Sequence, residues 1–200
     1  GFNTTGHSSS TEYGGLNVFI GNQSGFSNLL GRYNVFLGNQ SGFSNTSGRY
    51  NVFMGNQSGY TNSSGLFNTF IGFEAGFTNN ASYNVFMGYQ AGKATTTGAN
   101  NVFIGNQAGS TNLVGANNVF LGNLAGLNNK ASDNVFLGNE AGKNNNSGTG
   151  NVFLGNKTGN SNVYGISNVF LGNYAGFSNL GIGTLPDGSA NVFIGDSAGY

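Results

Sequence analysis

Side chains able to take part in catalysis are few in this chain of 200 residues. The single histidine, His7, lies in a polar stretch with Ser8 to Ser10 and Glu12, and there is no cysteine. A nucleophilic hydroxyl needs a histidine base that a carboxylate holds in place. Only this stretch could supply such a group, and we expect it to be an ordinary polar loop.

The carboxylates are spread along the chain. Paired carboxylates for sugar hydrolysis would have to come from Glu12, Glu74, Asp133, Glu140, Asp187 and Asp196. Glu74 and Glu140 would lie about 19 Å apart if each 17-residue unit adds one strand spacing. Calcium-binding solenoids carry Asp in every coil, and this chain does not. The sequence therefore predicts no catalytic residue, no cofactor and no metal site, and we do not expect an enzyme.

A repeated phrase, Asn-Val-Phe-Ile/Leu/Met-Gly, dominates the chain instead. It occurs eleven times, once with Thr69 in place of Val, and the copies are mostly 17 residues apart. We number the repeat from its Asn as position 1. Position 3 is always Phe, positions 5 and 9 are always Gly, and position 8 is Ala, Ser or Thr. A chain that repeats one small unit builds an elongated stack in which each unit contacts only its neighbours.

Each repeat predicts one coil of a stack. Val-Phe-Ile/Leu is a short strand-forming segment, and Gly at positions 5, 9 and 15 suits corners because Gly reaches positive φ without strain. No Asn is followed directly by Gly, which disfavours a meander of two-residue hairpins. We predict an all-β fold, a parallel β-solenoid (β-roll) of about eleven 17-residue coils that spans about 50 Å.

The domain organisation follows from the repeat. Residues 1–16 are expected to form a partial coil with an insertion loop, and residues 17–200 the solenoid array, with a second loop insertion at 181–190. The ends carry no polar cap of the kind that solenoids normally need. We therefore expect either a piece of a longer protein or ends that stack on other subunits.

Asparagine at position 1 predicts a ladder of hydrogen bonds along the stack. Asn is a good turn residue, and it can also bond to its copy in the next coil. Both interpretations stay open from the sequence. The ladder would comprise Asn17, Asn34, Asn51, Asn68, Asn84, Asn101, Asn118, Asn134, Asn151, Asn168 and Asn191.

The Phe column predicts an oligomer interface. Side chains alternate between the two faces of a strand, so Phe points opposite to Val and Ile/Leu. An exposed column of Phe would exceed the apolar surface that monomers usually tolerate, so we expect it to pack on identical chains, as a trimer or filament. The alternative is that Phe fills the coil itself. The interface residues would be Phe19, Phe36, Phe53, Phe70, Phe86, Phe103, Phe120, Phe136, Phe153, Phe170 and Phe193.

Composition argues against several classes of protein. Only 6% of the residues are charged and the net charge is zero, whereas a nucleic-acid-binding protein carries a basic surface. There is no apolar run long enough to span a membrane as a helix. The chain is 37% hydrophobic and regularly patterned, so it is not expected to be disordered.

The segment Asn-Val-Phe-Leu-Gly-Asn-Gln-Ala-Gly resembles the head repeats of trimeric autotransporter adhesins. It is also similar to 17-residue repeats in bacterial surface proteins and phage tail-fibre-like proteins. The resemblance covers residues 17–200. It implies a left-handed parallel β-roll, three chains side by side, display outside a bacterial cell, and attachment to host matrix or other surfaces.

The function that follows is structural: a segment of an extracellular fibre or adhesin that associates with itself. The alternative is a glycan- or surface-binding module, which would use exposed aromatic residues beside Asn and Gln, namely Phe73, Tyr89 and Tyr174. Ice binding would need a regular column of Thr, and the sequence has only the local run Thr95 to Thr97.

Overall fold

In the computed structural model, which describes residues 15–181 and 188–200, the chain forms eleven short strands joined by turns. Each strand has three residues and occupies positions 2 to 4 of its repeat. The strands are β1 (Val18–Ile20), β2 (Val35–Leu37), β3 (Val52–Met54), β4 (Thr69–Ile71), β5 (Val85–Met87), β6 (Val102–Ile104), β7 (Val119–Leu121), β8 (Val135–Leu137), β9 (Val152–Leu154), β10 (Val169–Leu171) and β11 (Val192–Ile194).

All eleven strands form one parallel sheet in chain order, β1 to β11. Equivalent repeat positions lie side by side, so that Phe103 pairs with Phe86 on one side and with Phe120 on the other. Each strand is therefore one rung of a continuous stack. The prediction of an all-β parallel solenoid is confirmed; its left-handed sense stays a prediction.

The remainder of each coil is also bonded to its neighbours. The backbone N–H of Gly25 (position 9) donates to the carbonyl of Ser41 in the next coil, at 2.9 Å. The N–H of Gly38 (position 5) donates in the opposite direction, to Ile20 in the preceding coil, at 2.8 Å. Tight turns within the coil connect position 5 to 8 and position 9 to 12. Hydrogen bonds thus join the coils around their circumference, not only along the sheet.

Glycine is needed at the corners for two different reasons. At positions 5 and 9 its φ is positive, as at Gly105 (φ 137°) and Gly109 (φ 57°). At position 15 no positive φ occurs; a Cβ on Gly98 would collide with the carbonyl oxygen of Gly115 in the next coil. The expectation of positive φ at all three positions is therefore wrong for position 15, where the neighbouring coil is simply too close for a side chain.

Phenylalanine fills the interior of the solenoid. The nine Phe side chains from Phe36 to Phe170 are fully buried. Each ring stacks on the next with centroids 4.7 to 4.9 Å apart. Small residues at position 8, such as Ala108, are buried with them. Burial of one Phe contributes about 1.5–3 kcal/mol, and stacking adds about 0.5–1.5 kcal/mol per pair.

This packing corrects the predicted oligomer interface. The rings lie inside their own coil, so they are not available to another chain. The prediction that Phe points opposite to Val and Ile/Leu is confirmed. Both faces of the strand are apolar, however, and the face that points inward is the Phe face, contrary to the prediction. The correction applies to Phe19, Phe36, Phe53, Phe70, Phe86, Phe103, Phe120, Phe136, Phe153, Phe170 and Phe193; among these, only Phe193 in the last strand is partly exposed.

Changes in repeat length are absorbed at one corner, between position 12 and the next Asn. The two coils that are one residue short keep the strand register, with Thr69 opposite Val85 and Val119 opposite Val135. The carbonyl of Ala81 takes the place of the usual position-15 Gly carbonyl. The polar stretch around His7 and most of the 181–190 insertion lie outside the described residues.

Truncation of a single interior ring should weaken the whole stack. We expect Phe103→Ala to lower the free energy of unfolding by about 3–5 kcal/mol, because it removes the ring and leaves a cavity between two stacked neighbours. Urea denaturation followed by circular dichroism measures the change. Val102→Ala in the same strand is the control, since that side chain points outward and should cost much less. Similar losses for the two variants would contradict an interior packed around Phe.

Candidate functional site

One outer surface of the rod is apolar from end to end. It is formed by the outward-pointing side chains of the sheet, at positions 2 and 4 of each coil, and we call it the apolar strip. Of its 22 side chains 21 are Val, Ile, Leu or Met, and the exception is Thr69. Ile104 near the middle is 36% exposed, and Ile20 in the first strand is 49% exposed. The sequence predicts the Phe column on the outer surface, and the structure places these aliphatic side chains there instead.

The position-1 asparagines form a continuous internal ladder. In the middle of the stack, Nδ2 of Asn101 donates to the carbonyl of Gly115 at 2.9 Å, and its Oδ1 accepts from the backbone N–H of Asn118 at 2.9 Å. The bond from a backbone N–H to the preceding Asn Oδ1 recurs at every step from Asn17 to Asn191.

This ladder differs from the simple amide stack that the sequence suggested. Every step joins a side-chain Oδ1 to a backbone N–H, and only four steps also have a direct amide-to-amide bond, of 3.1 to 3.3 Å. The side chain therefore satisfies two buried backbone groups at once, an inward-facing carbonyl and a corner N–H. Buried backbone groups without partners are costly, which explains why Asn recurs in every coil.

A second buried column of Asn lies at position 12 and contains a break. On one side of the break, Asn145 donates to Asn129 at 2.7 Å and Asn162 donates to Asn145 at 2.7 Å. Thr95 replaces Asn in the middle of this column. At this break, Thr95 Oγ1 and Asn112 Nδ2 are buried without a hydrogen-bond partner.

Among the described residues the same is true of Asn79 Nδ2, of both amide atoms of Asn62 and of Asn45 Oδ1, where Asn is present in every coil. The column is therefore interrupted at Thr95 and also between Asn45 and Asn79.

Two further amide ladders lie on the outside. At position 6, Asn106 donates to Asn123 at 2.8 Å, and the pattern continues from Asn123 through Asn173 to Asp196. At position 7, Gln57 donates to Gln40 at 2.8 Å. These exposed groups bond mainly to their own copies along the rod, so they present a regular polar edge rather than a pocket.

Exposed aromatic residues form stacks on the first coils. Phe26, Phe43, Tyr60 and Phe77 form one column, and Tyr33, Tyr50, Phe67 and Tyr83 form another, with centroids 4.8 to 5.2 Å apart. Phe73 and Tyr89 stack at 5.5 Å, and the amine of Lys157 lies 5.5 Å from the centre of the Tyr174 ring. Ring faces within these stacks are turned toward each other. Glycan binding through Phe73, Tyr89 and Tyr174 stays a prediction, without an open aromatic platform to support it.

The ion pairs of the described residues join side chains of the same or neighbouring coils. Lys93 Nζ lies 2.7 Å from Glu74 Oε2, and Gln90 donates to the same oxygen at 2.8 Å. Partial burial acts to raise the pKa of Glu74, but these two hydrogen bonds and the charge of Lys93 outweigh it and lower that pKa below its usual value. The described residues contain no group of three or more His, Cys, Asp or Glu that could hold a metal ion.

Comparisons with known proteins place the chain in no family. No known protein family, no curated protein and no solved structure matches it. Among the described residues, no helix is long and apolar enough to cross a membrane.

A buried charge in the Asn ladder should be costly. We expect Asn101→Asp to lower the free energy of unfolding by about 3 kcal/mol at neutral pH, because it removes the donor to Gly115 and buries a carboxylate. Burial raises the pKa of that carboxyl in the folded state, so the loss should grow as the pH rises above about 4. Urea denaturation at several pH values measures this dependence.

The control for that variant is Asn106→Asp on the exposed ladder of the same coil. Its carboxylate stays in water, so the change should remain within about 0.5 kcal/mol and vary little with pH. If both variants lose stability equally at neutral pH, the position-1 ladder does not have the structural role described above.

Repair of the break at Thr95 should stabilise the chain. We expect Thr95→Asn to raise the free energy of unfolding by about 1–2 kcal/mol, since the Oδ1 of the new amide can accept from Asn112 Nδ2, which is buried without a partner. Thr97→Asn, on the exposed side of the same corner, is the control and should give no gain. Urea denaturation distinguishes them, and a destabilised Thr95→Asn variant would argue against a continuous ladder.

Proposed function

We propose that the chain is a structural segment of an extracellular fibre or adhesin, a stiff rod that holds other parts of its assembly at a fixed distance. The observation that carries the proposal is the unbroken in-register stack of eleven strands. Ten steps of about 4.8 Å give the sheet a length of about 48 Å. The described residues supply a uniform scaffold and no cluster of reactive groups.

The arrangement of contacts suits a load-bearing role. Interior rings, internal amides and backbone bonds all connect one coil to the next, so the interactions repeat at every level of the rod. In such a stack the stability is approximately the sum of the repeats and their interfaces. The rod can therefore be lengthened or shortened by whole coils with the same local structure.

Location outside the cell is part of the proposal. It is supported by the resemblance of Asn-Val-Phe-Leu-Gly-Asn-Gln-Ala-Gly to repeats of bacterial surface proteins and phage tail fibres. Hydrogen bonding around the circumference of each coil also suits a protein exposed to proteases, because cleavage requires local opening of the backbone. Immunogold electron microscopy on the organism that makes the chain tests this location: label on surface filaments is expected, and label confined to the cell interior would overturn it.

The spacer role predicts that length follows coil number. Deletion of residues 84–167 removes five whole repeats and should join β4 to β10 in register, with Phe70 stacked on Phe170. We expect a folded rod that is shorter by about 24 Å, measured as the largest interatomic distance in small-angle X-ray scattering. The interior contacts are the same in every coil, so the shorter stack should keep its β signal.

A deletion of residues 73–148 is the out-of-phase control. It leaves only seven residues from Asn68 to the next repeat Asn, Asn151, which is too few for a coil, so it should disorder the stack at the junction. If the in-phase variant unfolds, or if the out-of-phase variant folds as well as the in-phase one, the coils are not interchangeable units of a spacer.

A further inference from the structure

The composition of the apolar strip is not explained by strand formation alone. Val at position 2 is a good strand former. Position 4, however, is Leu or Met in seven of eleven coils, and neither residue is preferred on an exposed strand. Thr, Tyr or a charged residue would form the strand equally well in water. The strip therefore has the composition of a surface that is covered.

The strip also lacks the features that keep exposed sheets apart. Proteins usually place Lys, other charges or Pro on sheet surfaces and edges that must not associate. None of the 22 side chains is charged and none is Pro. The charged residues of the described chain lie at other repeat positions, such as Lys93 and Lys143 at position 10. A partner that recognises this strip must therefore offer an apolar surface.

The size of the strip matches a small but specific interface. With a length of about 48 Å and a width of about 12 Å it covers about 600 Å². A contact between two such strips would bury about 1,200 Å² in total, at the lower end of specific interfaces and above most crystal contacts. Exposed apolar patches of this size on single chains usually mark interaction sites.

We propose that the partner is a second copy of this chain, and that the two rods pack face to face through their apolar strips, parallel and level, coil against coil. The inference adds a partner to the proposed structural role. It rests on that role only in that the dimer and the spacer both require the folded stack. The strips of two copies have the same rise per coil, so their side chains stay in step along the whole contact. A partner with another repeat length would fall out of step.

The parallel arrangement follows from the two columns of the strip. A two-fold axis along the rods places the smaller Val column of each chain opposite the larger Ile/Leu/Met column of the other. Large and small side chains can then interdigitate at the usual sheet separation of about 10 Å. An axis along the strands would instead oppose large residues to large and small to small.

Sedimentation equilibrium of the full chain tests the proposal. We expect two chains per particle at micromolar concentrations. Ile104→Lys should weaken the association at least about a hundredfold, because two like charges would be buried near each other. Leu113→Lys is the control: it lies in the same coil, is similarly exposed at 43%, and is off the strip, so it should leave the dimer intact. Circular dichroism confirms that both variants keep their β signal.

A second variant tests the proposal by a gain rather than a loss. Thr69 is the one polar side chain of the strip, and Thr69→Val should tighten the dimer about five- to tenfold, because two hydroxyl groups no longer need to be desolvated. Misfolding cannot mimic this result. A wild-type chain that stays monomeric at high concentration, or association that Ile104→Lys and Leu113→Lys weaken equally, would overturn the proposal.

The arrangement of the two rods is tested with a spin label. Because the chain has no cysteine, Leu29→Cys provides a single labelling site near one end, at a side chain that is 65% exposed. In a parallel dimer the label-to-label distance should be shorter than the rod length of about 48 Å, and in an antiparallel dimer longer. A long distance, or three chains per particle, would reject the level two-fold arrangement. A monomer that nevertheless scatters as a rod would reject the dimer and leave the spacer role standing.

Discussion

The rest of the structure depends on the contact between the Phe ring at position 3 and the Gly at position 9 of the same coil. A Cβ on Gly109 would lie 2.5 Å from the Phe103 ring, and the backbone there has φ 57°. The ring therefore lies directly on the backbone of its own coil. Since the rings then stack at 4.7 to 4.9 Å, their spacing equals the spacing of hydrogen-bonded strands. Ring stacking and strand pairing thus favour the same rise per coil.

This small interior explains the internal amides. One ring and one small side chain leave little apolar volume in each coil, and the backbone of the corners points some of its carbonyls inward. Asn is short enough to fit and carries both a donor and an acceptor. At Asn101 these groups satisfy the Gly115 carbonyl and the Asn118 N–H. The interior is therefore held by polar and aromatic contacts together, and both repeat at every coil.

The sequence predicts the stack well because the repeat is visible without the structure. The strand at positions 2 to 4, the Gly corners at positions 5 and 9 and the order of the sheet follow from spacing and residue type. The direction of Phe does not follow, because Val and Leu on the opposite face are equally apolar. Two signals were present: Phe never varies while position 4 does, and Gly and Ala leave room for a ring. Left-handed backbone at position 7, as at Gln107 and Leu124, could not be predicted, since Gln and Leu carry no preference for it.

The same nearest-neighbour contacts confine variation to certain places. A change at positions 1, 3, 5 or 9 would disturb two neighbouring coils, and these positions are constant. The corner between position 12 and the next Asn lies outside the column of interior Phe rings, and there the coils lose a residue or gain an insertion. A defect such as Thr95 remains local because coils farther along the stack do not contact it. Positions 2 and 4 face outward and would be free to become polar, yet they remain apolar in all coils but one, so their composition reflects something outside the coil.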